Sequence, residues 1–505
     1  MIAALAAVLL LAAPPQASET IEVSIVNVDV VVTDRKGNPV RGLTQDDFEI
    51  RDAGKPQAIT NFAEYSSAAV ENGPAAPPEK RTVVLFIEAF ALPRYAIDPL
   101  FAAMRDAVKK IVRPGDAVAI YTWVGFSTLL RAGFTDDVGK LDDTLAEIAE
   151  ESIGSPANEL AAESREIAFE HAFHNLLEEP LREEAPMNVD LYKIRRKSEA
   201  LQSVMKAISG AEGKKIVITA TNRFGMYAGA DRFPEGVVPL DRRSEFDTRP
   251  FREAVARTAN AYGITIYPIY PAGMQWTPRS TAEERTPREP AYLARDNNIL
   301  MNETSALQEL AAATGGIMAW GAKDAVSLLP RVVTDLDSYY SLAYRGTASN
   351  ARTITVHTAN RNHVVRMRNQ IVPVDDVERL KDRVLTNLHR PQSGATLTFD
   401  ATAGGIDENG EVPVTIRIPI AQLTTIGGKG AFSVFVAAGG ELGILTDVAQ
   451  RSQPFTIDEQ DAARARESHF TYELRLRVDN RTERISVGVF DETGRNFGLR
   501  LLVLE

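Results

Sequence analysis

One apolar run in the chain reads Thr82-Val83-Val84-Leu85-Phe86-Ile87, and a helical pattern follows it over about residues 95–112. Four further apolar runs, each preceded by an amphipathic helical pattern, lie at residues 116–123, 214–219, 264–270 and 317–320. Strands that are apolar on both faces and alternate with helices predict a parallel-type sheet covered by helices on both sides. We therefore expect a doubly wound α/β domain over residues 80–336.

The flanks of this domain have the alternating pattern of β-strands. Residues 19–65 predict an N-terminal β module, and residues 66–80, with three prolines, predict a linker. The alternation changes phase at Ile25-Val26, which predicts a β-bulge. Residues 337–372 are again strand-like, and because neither segment makes a stable sheet alone, we expect the two to pair into one sandwich around the α/β domain.

The last part of the chain is predicted to be a separate β domain. Residues 373–390 read as a connecting helix, with Asp375 and Asp376 at its start. Residues 391–505 contain short alternating runs separated by Gly, Asn and Asp, which predicts a C-terminal β-sandwich.

Three segments interrupt the alternation of the α/β domain, at residues 155–200, 222–250 and 271–300, and we interpret them as surface insertions suited to partner binding.

The N-terminus predicts export. Residues 1–13 carry no charged side chain and are mostly apolar, and small residues and prolines follow up to Ala17. This pattern indicates a signal peptide over residues 1–17, too short for a stable membrane anchor. We expect a periplasmic, cell-envelope or extracellular protein without a membrane span.

Composition narrows the classes of partner and chemistry. The 505 residues include 56 Lys and Arg against 68 Asp and Glu, a formal net charge of −12, which disfavours nucleic acid as a partner. The absence of cysteine excludes disulfides and thiolate metal sites. With six histidines, a metal site would depend largely on carboxylates.

A set of motifs occurs in order along residues 20–370. They are residues 28–34, Gly37-Asn38-Pro39-Val40, Gly42-Leu43, Asp46-Asp47-Phe48, Arg113-Pro114-Gly115-Asp116, residues 263–267, residues 310–316, residues 339–344 and residues 366–368. In this order they resemble the VWFA-related proteins abundant in acidobacteria, which contain a von Willebrand factor type A (VWA) domain. The resemblance implies a Rossmann-like VWA fold and protein–protein recognition, and it implies no family-wide enzymatic activity.

The resemblance also implies where a metal ion would lie. A VWA domain holds Mg²⁺ with an Asp-x-Ser-x-Ser loop after its first strand, a later Thr and an Asp in a Thr-Asp-Gly turn. Here the corresponding positions are Glu88, Phe90, Leu92 and Ala220, and Ser152 or Ser155 lies nearest to the Thr position. One carboxylate with apolar neighbours is a poor Mg²⁺ site. We therefore predict a degenerate metal site and no cofactor, with Glu88 either a vestigial ligand or, the reading we favour, a helix cap or solvated acid.

Other motifs favour structural interpretations. His174 and Glu178 lie one turn apart on a helical pattern, but zinc needs three or four ligands, which predicts a solvated helix. The basic run Arg195-Arg196-Lys197 is likewise interpreted as a solvated helix face. No nucleophile elbow or phosphate loop is present, so we predict no enzymatic activity.

These observations predict an exported, non-catalytic protein-binding or scaffold protein. The first alternative is a metal-dependent, adhesin-like receptor with a rebuilt site. A hydrolase with its site in the insertions is disfavoured because nucleophile–base motifs are scarce. An adaptor of a cytoplasmic ATPase conflicts with the export signal.

Overall fold

The structure is a computed structural model, and it describes residues 23–66, 80–89, 92, 94–124, 127–153, 185–273, 290–347, 350–392, 395–440, 448–458, 460–478 and 482–504. The predicted signal peptide, Phe90, Ser155, His174 and Glu178 lie outside the described residues. None of the helices in the described ranges combines the length and the apolar character that crossing a membrane requires.

The N-terminal segment consists of β-strands, and residues 80–337 form the α/β domain. The N-terminal strands are β1 (Val23–Thr33), β2 (Phe48–Asp52), β3 (Lys55–Gln57) and β4 (Ile59–Ser66). The α/β domain contains β5 (Arg81–Ile87), α1 (Arg94–Ile111), β6 (Ala117–Trp123), β7 (Thr128–Thr135), α2 (Val138–Ile153), α3 (Ala185–Ala207), β8 (Lys214–Ala220), α4 (Arg243–Phe246), α5 (Arg249–Tyr262), β9 (Ile264–Tyr270), α6 (Pro290–Thr314), β10 (Ala319–Trp320) and α7 (Ala322–Asp337).

The six strands of the α/β domain form one sheet in the order β10-β9-β8-β5-β6-β7. All neighbouring strands are parallel except β7, which runs antiparallel to β6 at the sheet edge. Helices α1, α2 and α7 cover one face of the sheet, and helices α3, α5 and α6 cover the other. One buried apolar cluster lies between each group of helices and the sheet. This arrangement is Rossmann-like and confirms the predicted α/β domain.

Residues 222–250 differ from the sequence interpretation. We expected a surface insertion, but Phe224, Val238 and Phe246 are fully buried and pack into the core beneath α3. The Pro, Arg, Gly and Asp content of this segment suggested a solvated loop, whereas its few apolar residues anchor it to the domain.

The chain returns to β-structure after α7. The remaining elements are β11 (Ser338–Thr347), β12 (Arg352–Thr358), β13 (Val364–Arg366), β14 (Gln370–Ile371), α8 (Asp376–His389), β15 (Asp400–Ala403), β16 (Glu411–Pro419), β17 (Lys429–Gly439), β18 (Ala449–Thr456), α9 (Ala462–Arg466), β19 (His469–Arg477), β20 (Arg484–Asp491) and β21 (Phe497–Val503).

Strands from both sides of the α/β domain share two sheets, with orders β13-β1-β11-β4 and β14-β12-β2-β3. Their apolar residues form one cluster that includes Val28, Ile50 and Tyr344. The predicted bulge at Ile25-Val26 is wrong, because β1 pairs with β11 in continuous register from Val23 to Val30. Ile25 instead points to solvent and is 67% exposed.

A buried ion pair joins the α/β domain to these strands. Asp335 of α7 accepts two hydrogen bonds from the Arg366 guanidinium of β13, at 2.7 and 2.6 Å. The Tyr267 hydroxyl of β9 donates to the same carboxylate at 2.9 Å. Because Asp335 and Arg366 are almost fully buried, each depends on the other for its compensating charge.

We predict that D335N lowers the free energy of unfolding by about 3–5 kcal/mol, because it leaves the buried Arg366 without a counter-charge. Urea unfolding followed by circular dichroism measures the loss. The control is D106N, which removes an exposed Lys110–Asp106 pair and is expected to change stability by less than about 1 kcal/mol. Equal effects of the two substitutions would contradict a stabilising role for the Asp335–Arg366 pair.

Candidate functional site

The candidate site lies where the parallel strands β5, β8 and β9 end. Ligands of open α/β sheets bind outside the carboxyl ends of the strands. Glu88 directly follows β5, and its backbone N–H donates to the carbonyl of Ala220 at the end of β8, at 2.9 Å. Thr221 and Asn222 continue from β8 and lie beside Glu88.

A buried ion pair occupies this edge of the sheet. The Glu88 Oε2 atom accepts hydrogen bonds from Lys197 Nζ at 2.8 Å, Thr221 Oγ1 at 2.8 Å and the Asn222 backbone N–H at 2.9 Å. Lys197 Nζ also donates to the Asn222 carbonyl at 2.6 Å. Glu88 is 8% exposed and Lys197 is 3% exposed. The ammonium group therefore neutralises the carboxylate and ties α3 to the loop after β8.

Two sequence interpretations are wrong at this point. Glu88 is neither a helix cap nor solvated, since it is buried and accepts from three donors. Lys197 does not lie on a solvated face, although Arg195 and Arg196 beside it are about half exposed. The position of Lys197 in the helix carried the signal: it lies three residues after the buried Ile194 and four before the buried Leu201, on the apolar stripe of α3.

The residues present do not fit Mg²⁺. This ion requires octahedral coordination by hard oxygen ligands. Ala220 is fully buried and offers no side-chain ligand, and Leu92 packs partly buried against the core. The Ser152 hydroxyl donates to the Ile148 carbonyl within its own helix. The Lys197 ammonium would also repel a cation beside Glu88. Over the described residues, no group of three or more His, Asp or Glu side chains is arranged to hold a metal ion.

A second, partly buried acid holds the other side of the loop after β8. Glu303 of α6 accepts a hydrogen bond from the Phe224 backbone N–H at 2.8 Å. Burial raises the pKa of Glu303 to about 7, and the nearby charges of Lys197 and Arg223 oppose that rise. The neighbouring Asn302 both accepts from and donates to the backbone of Tyr227. Sequence reasoning missed Glu303 because nothing in the helical pattern of α6 marks it as a contact of the loop after β8.

Arg223 lies between the two anchored residues Asn222 and Phe224. Its φ is +48°, a left-handed conformation that is unusual for a residue other than glycine. Its side chain is exposed. Buried groups fix the backbone on both sides, so the loop is held in a conformation that presents Arg223 outward.

Two exposed aromatic side chains lie at the same edge. Tyr95, 47% exposed, donates from its hydroxyl to the Ala272 carbonyl at 2.6 Å, and Ala272 N donates to the Asn222 side chain at 3.4 Å. Trp320, 37% exposed, ends β10, where the chain passes close to Gly273. We call Tyr95, Arg223 and Trp320 the rim. The rim is an exposed set of two aromatic rings and one guanidinium at this edge of the sheet.

Comparison with known proteins finds likeness among solved structures only. No protein-family model matches the chain, and no curated protein matches it. The chain is similar to an aerotolerance-related membrane protein from Bacteroides fragilis, with 10% identity, 51% of this chain and 98% of that chain covered, and a TM-score of 0.25. It is similar to the SpRpn10 VWA domain, with 10% identity, coverage of 50% and 96%, and a TM-score of 0.22.

A third solved structure covers most of the chain. It contains three N-terminal domains of the type V pili tip protein Mfa5 from Porphyromonas gingivalis, with 8% identity, coverage of 97% and 78%, and a TM-score of 0.25. The Rossmann-like character of the α/β domain rests on the strand order given above.

We predict that K197M lowers the free energy of unfolding by about 3–5 kcal/mol, because it leaves the Glu88 carboxylate buried without its counter-charge. The double variant E88Q/K197M removes both charges and should recover most of that loss. Urea unfolding of the wild type, both single variants and the double variant forms a double-mutant cycle. Additive effects of the two substitutions would show that the pair is not coupled.

The raised pKa of Glu303 predicts a pH-dependent stability. The folded chain binds the proton of the Glu303 carboxyl group more tightly than the unfolded chain does. The stability that this protonated group contributes is therefore present below pH 4.5 and is lost as pH rises to about 7. E303Q keeps an acceptor for the Phe224 N–H without the charge. The difference in the free energy of unfolding, E303Q minus wild type, should rise by about 3 kcal/mol between pH 4.5 and 8. The exposed E147Q should show no such change in urea unfolding, and a flat E303Q difference would contradict the prediction.

Proposed function

We propose that the chain is a non-catalytic protein-binding or scaffold protein whose rim docks a protein partner without a metal ion. The observation that carries this proposal is the buried Glu88–Lys197 pair. It places the Lys197 ammonium group at the sheet edge where the VWA resemblance implies Mg²⁺. On this view the metal site is degenerate, and the lysine maintains the loop geometry that a cation would otherwise support.

The composition of the rim supports protein binding. Tyr, Trp and Arg are the residue types that contribute most often to the strongest contacts in protein interfaces. Tyr95 and Trp320 expose large rings on backbone that is tied to the sheet, so little conformational entropy is lost when they are covered. Arg223 adds an exposed guanidinium, a residue type enriched in protein interfaces.

The buried charges support a binding role more than a catalytic one. Glu88 and Lys197 are paired with each other and almost fully buried, so neither side chain is exposed to a substrate. We further propose that the protein works outside the cytoplasm, in the cell envelope or beyond, because residues 1–17 have the pattern of a signal peptide.

The test is capture of envelope proteins on the immobilised full chain, with bound proteins quantified by mass spectrometry in Mg²⁺ and in EDTA. We expect the same partner in both buffers, at least tenfold less of it on W320A and R223A, and unchanged capture on I25A. I25A is the matched control, because Ile25 is an apolar residue that is more exposed than Trp320 and lies on β1 of the N-terminal segment.

Thermal unfolding with Mg²⁺, Mn²⁺ or Ca²⁺ separates the two functional classes. A micromolar site in millimolar metal would add about 4 kcal/mol to the stability of the folded state, and we expect no such shift. A metal-induced shift together with loss of the partner in EDTA would favour the metal-dependent receptor instead. Partner capture that survives both rim substitutions would refute the rim as the docking surface.

A further inference from the structure

The two sheets of the C-terminal part have unequal numbers of strands. Three strands, in the order β15-β16-β19, share one apolar core with four strands in the order β18-β17-β20-β21. Helix α8 packs on the other face of the four-stranded sheet. One outer strand of the larger sheet therefore has no counterpart in the smaller one.

The strand without a counterpart is β18. Its residues Arg451 and Gln453 pair with Val434 and Phe432 of β17, whose side chains lie in the shared core. Directly paired residues point to the same face of a sheet, so Arg451 and Gln453 also point to the core side. Both are nevertheless exposed. Within the described part of the chain, the core-side face of β18 is left uncovered at Arg451 and Gln453.

The vacant position lies beside β19. The Phe455 ring of β18 is 4.8 Å from the Phe470 ring of β19, which places the two outer strands on the same side of the module. Tyr472, Leu474 and Leu476 of β19 point toward the core but are only partly buried. One additional strand next to β19 would cover these three side chains and the exposed face of β18 together.

β19 has the properties of an edge that can accept a strand. It pairs with β16 over nine residues in unbroken register, and over the described ranges no strand pairs with its other side. It contains no proline and no bulge, and no charged side chain points inward, so three of the devices that normally protect an edge are absent. By contrast, β18 contains Pro454, and β15 has only four residues.

The outward residues of β19 are complementary to a second copy of the same strand. In an antiparallel pair with Leu474 opposite Leu474 of the partner subunit, Glu473 lies opposite Arg475 of the partner subunit, and the second such pair follows by symmetry. In the same register Tyr472 lies opposite Leu476 of the partner subunit, so the inward row stays apolar. Opposite charges directly across two strands are stabilising.

We propose that β19 is a dimerisation edge, at which two copies of the chain pair antiparallel about a two-fold axis at Leu474. The two three-stranded sheets become one sheet of six strands, and each β19 covers the exposed β18 face of the other copy. The interface is self-complementary, as two-fold symmetry requires. It is separate from the rim and does not rest on the proposed function.

The test uses charge reversal on the outward row of β19. R475E and E473R each place like charges opposite each other twice in the dimer, and each should weaken dimerisation at least about tenfold in sedimentation velocity. An equimolar mixture of the two variants should dimerise again, because both charge pairs are then opposite. The double variant E473R/R475E should also dimerise. R417E, an exposed reversal on β16, is the control and should dimerise as the wild type does.

Amide hydrogen exchange provides a second readout. We expect β19 amides to exchange more slowly as the wild-type concentration rises through the dimerisation range, and R475E to lack this dependence. A wild-type chain that stays monomeric at hundreds of micromolar would overturn the proposal. A dimer that neither single reversal weakens would also overturn it, since the contact would then lie elsewhere.

Discussion

The structure of the candidate site depends on one buried carboxylate. Glu88 ends the central strand of the α/β sheet, where water is excluded, so it needs a counter-charge close by. Lys197 supplies it from α3, and the same ammonium group holds the loop after β8 through the Asn222 carbonyl. Glu303 then fixes the next turn of that loop from α6. The contact of α3 with this loop therefore follows from neutralising Glu88, and Glu303 adds a second, separate contact from α6.

Buried charged groups also connect other segments that are distant in sequence. Arg81, at the start of β5, is buried against Asp116 and Asp337, which lie before β6 and at the end of α7. Arg352 and Tyr344 both bond to the buried Asp52 of β2, so the whole α/β domain lies between the partners in sequence. Buried ion pairs add little net stability compared with apolar packing, but a wrong arrangement leaves a charge unpaired and is heavily penalised. In this chain they select the arrangement of strands and helices.

Periodicity in the sequence predicted the strands β5, β6, β8 and β9 and helix α1 to within one or two residues, because these elements are buried on faces that the apolar pattern records. It missed β7, whose partly exposed side chains leave a weak pattern. The family resemblance led to Glu88 and Ala220, but not to Lys197, which lies 109 residues further on and meets Glu88 only after folding. Long-range charge pairing leaves almost no local signal, whereas apolar burial leaves a repeated one.

The insertion of the α/β domain between β4 and β11 has a mechanical consequence. The strands that lead into and out of the domain are neighbours, with Ser66 opposite Ser338. A force that pulls the α/β domain away from β1 would act along β11. Strand β11 is paired with β1 over eight consecutive residues. In this shear geometry the backbone hydrogen bonds carry the load together instead of opening one after another. The arrangement suits a module that must stay folded under a pulling force.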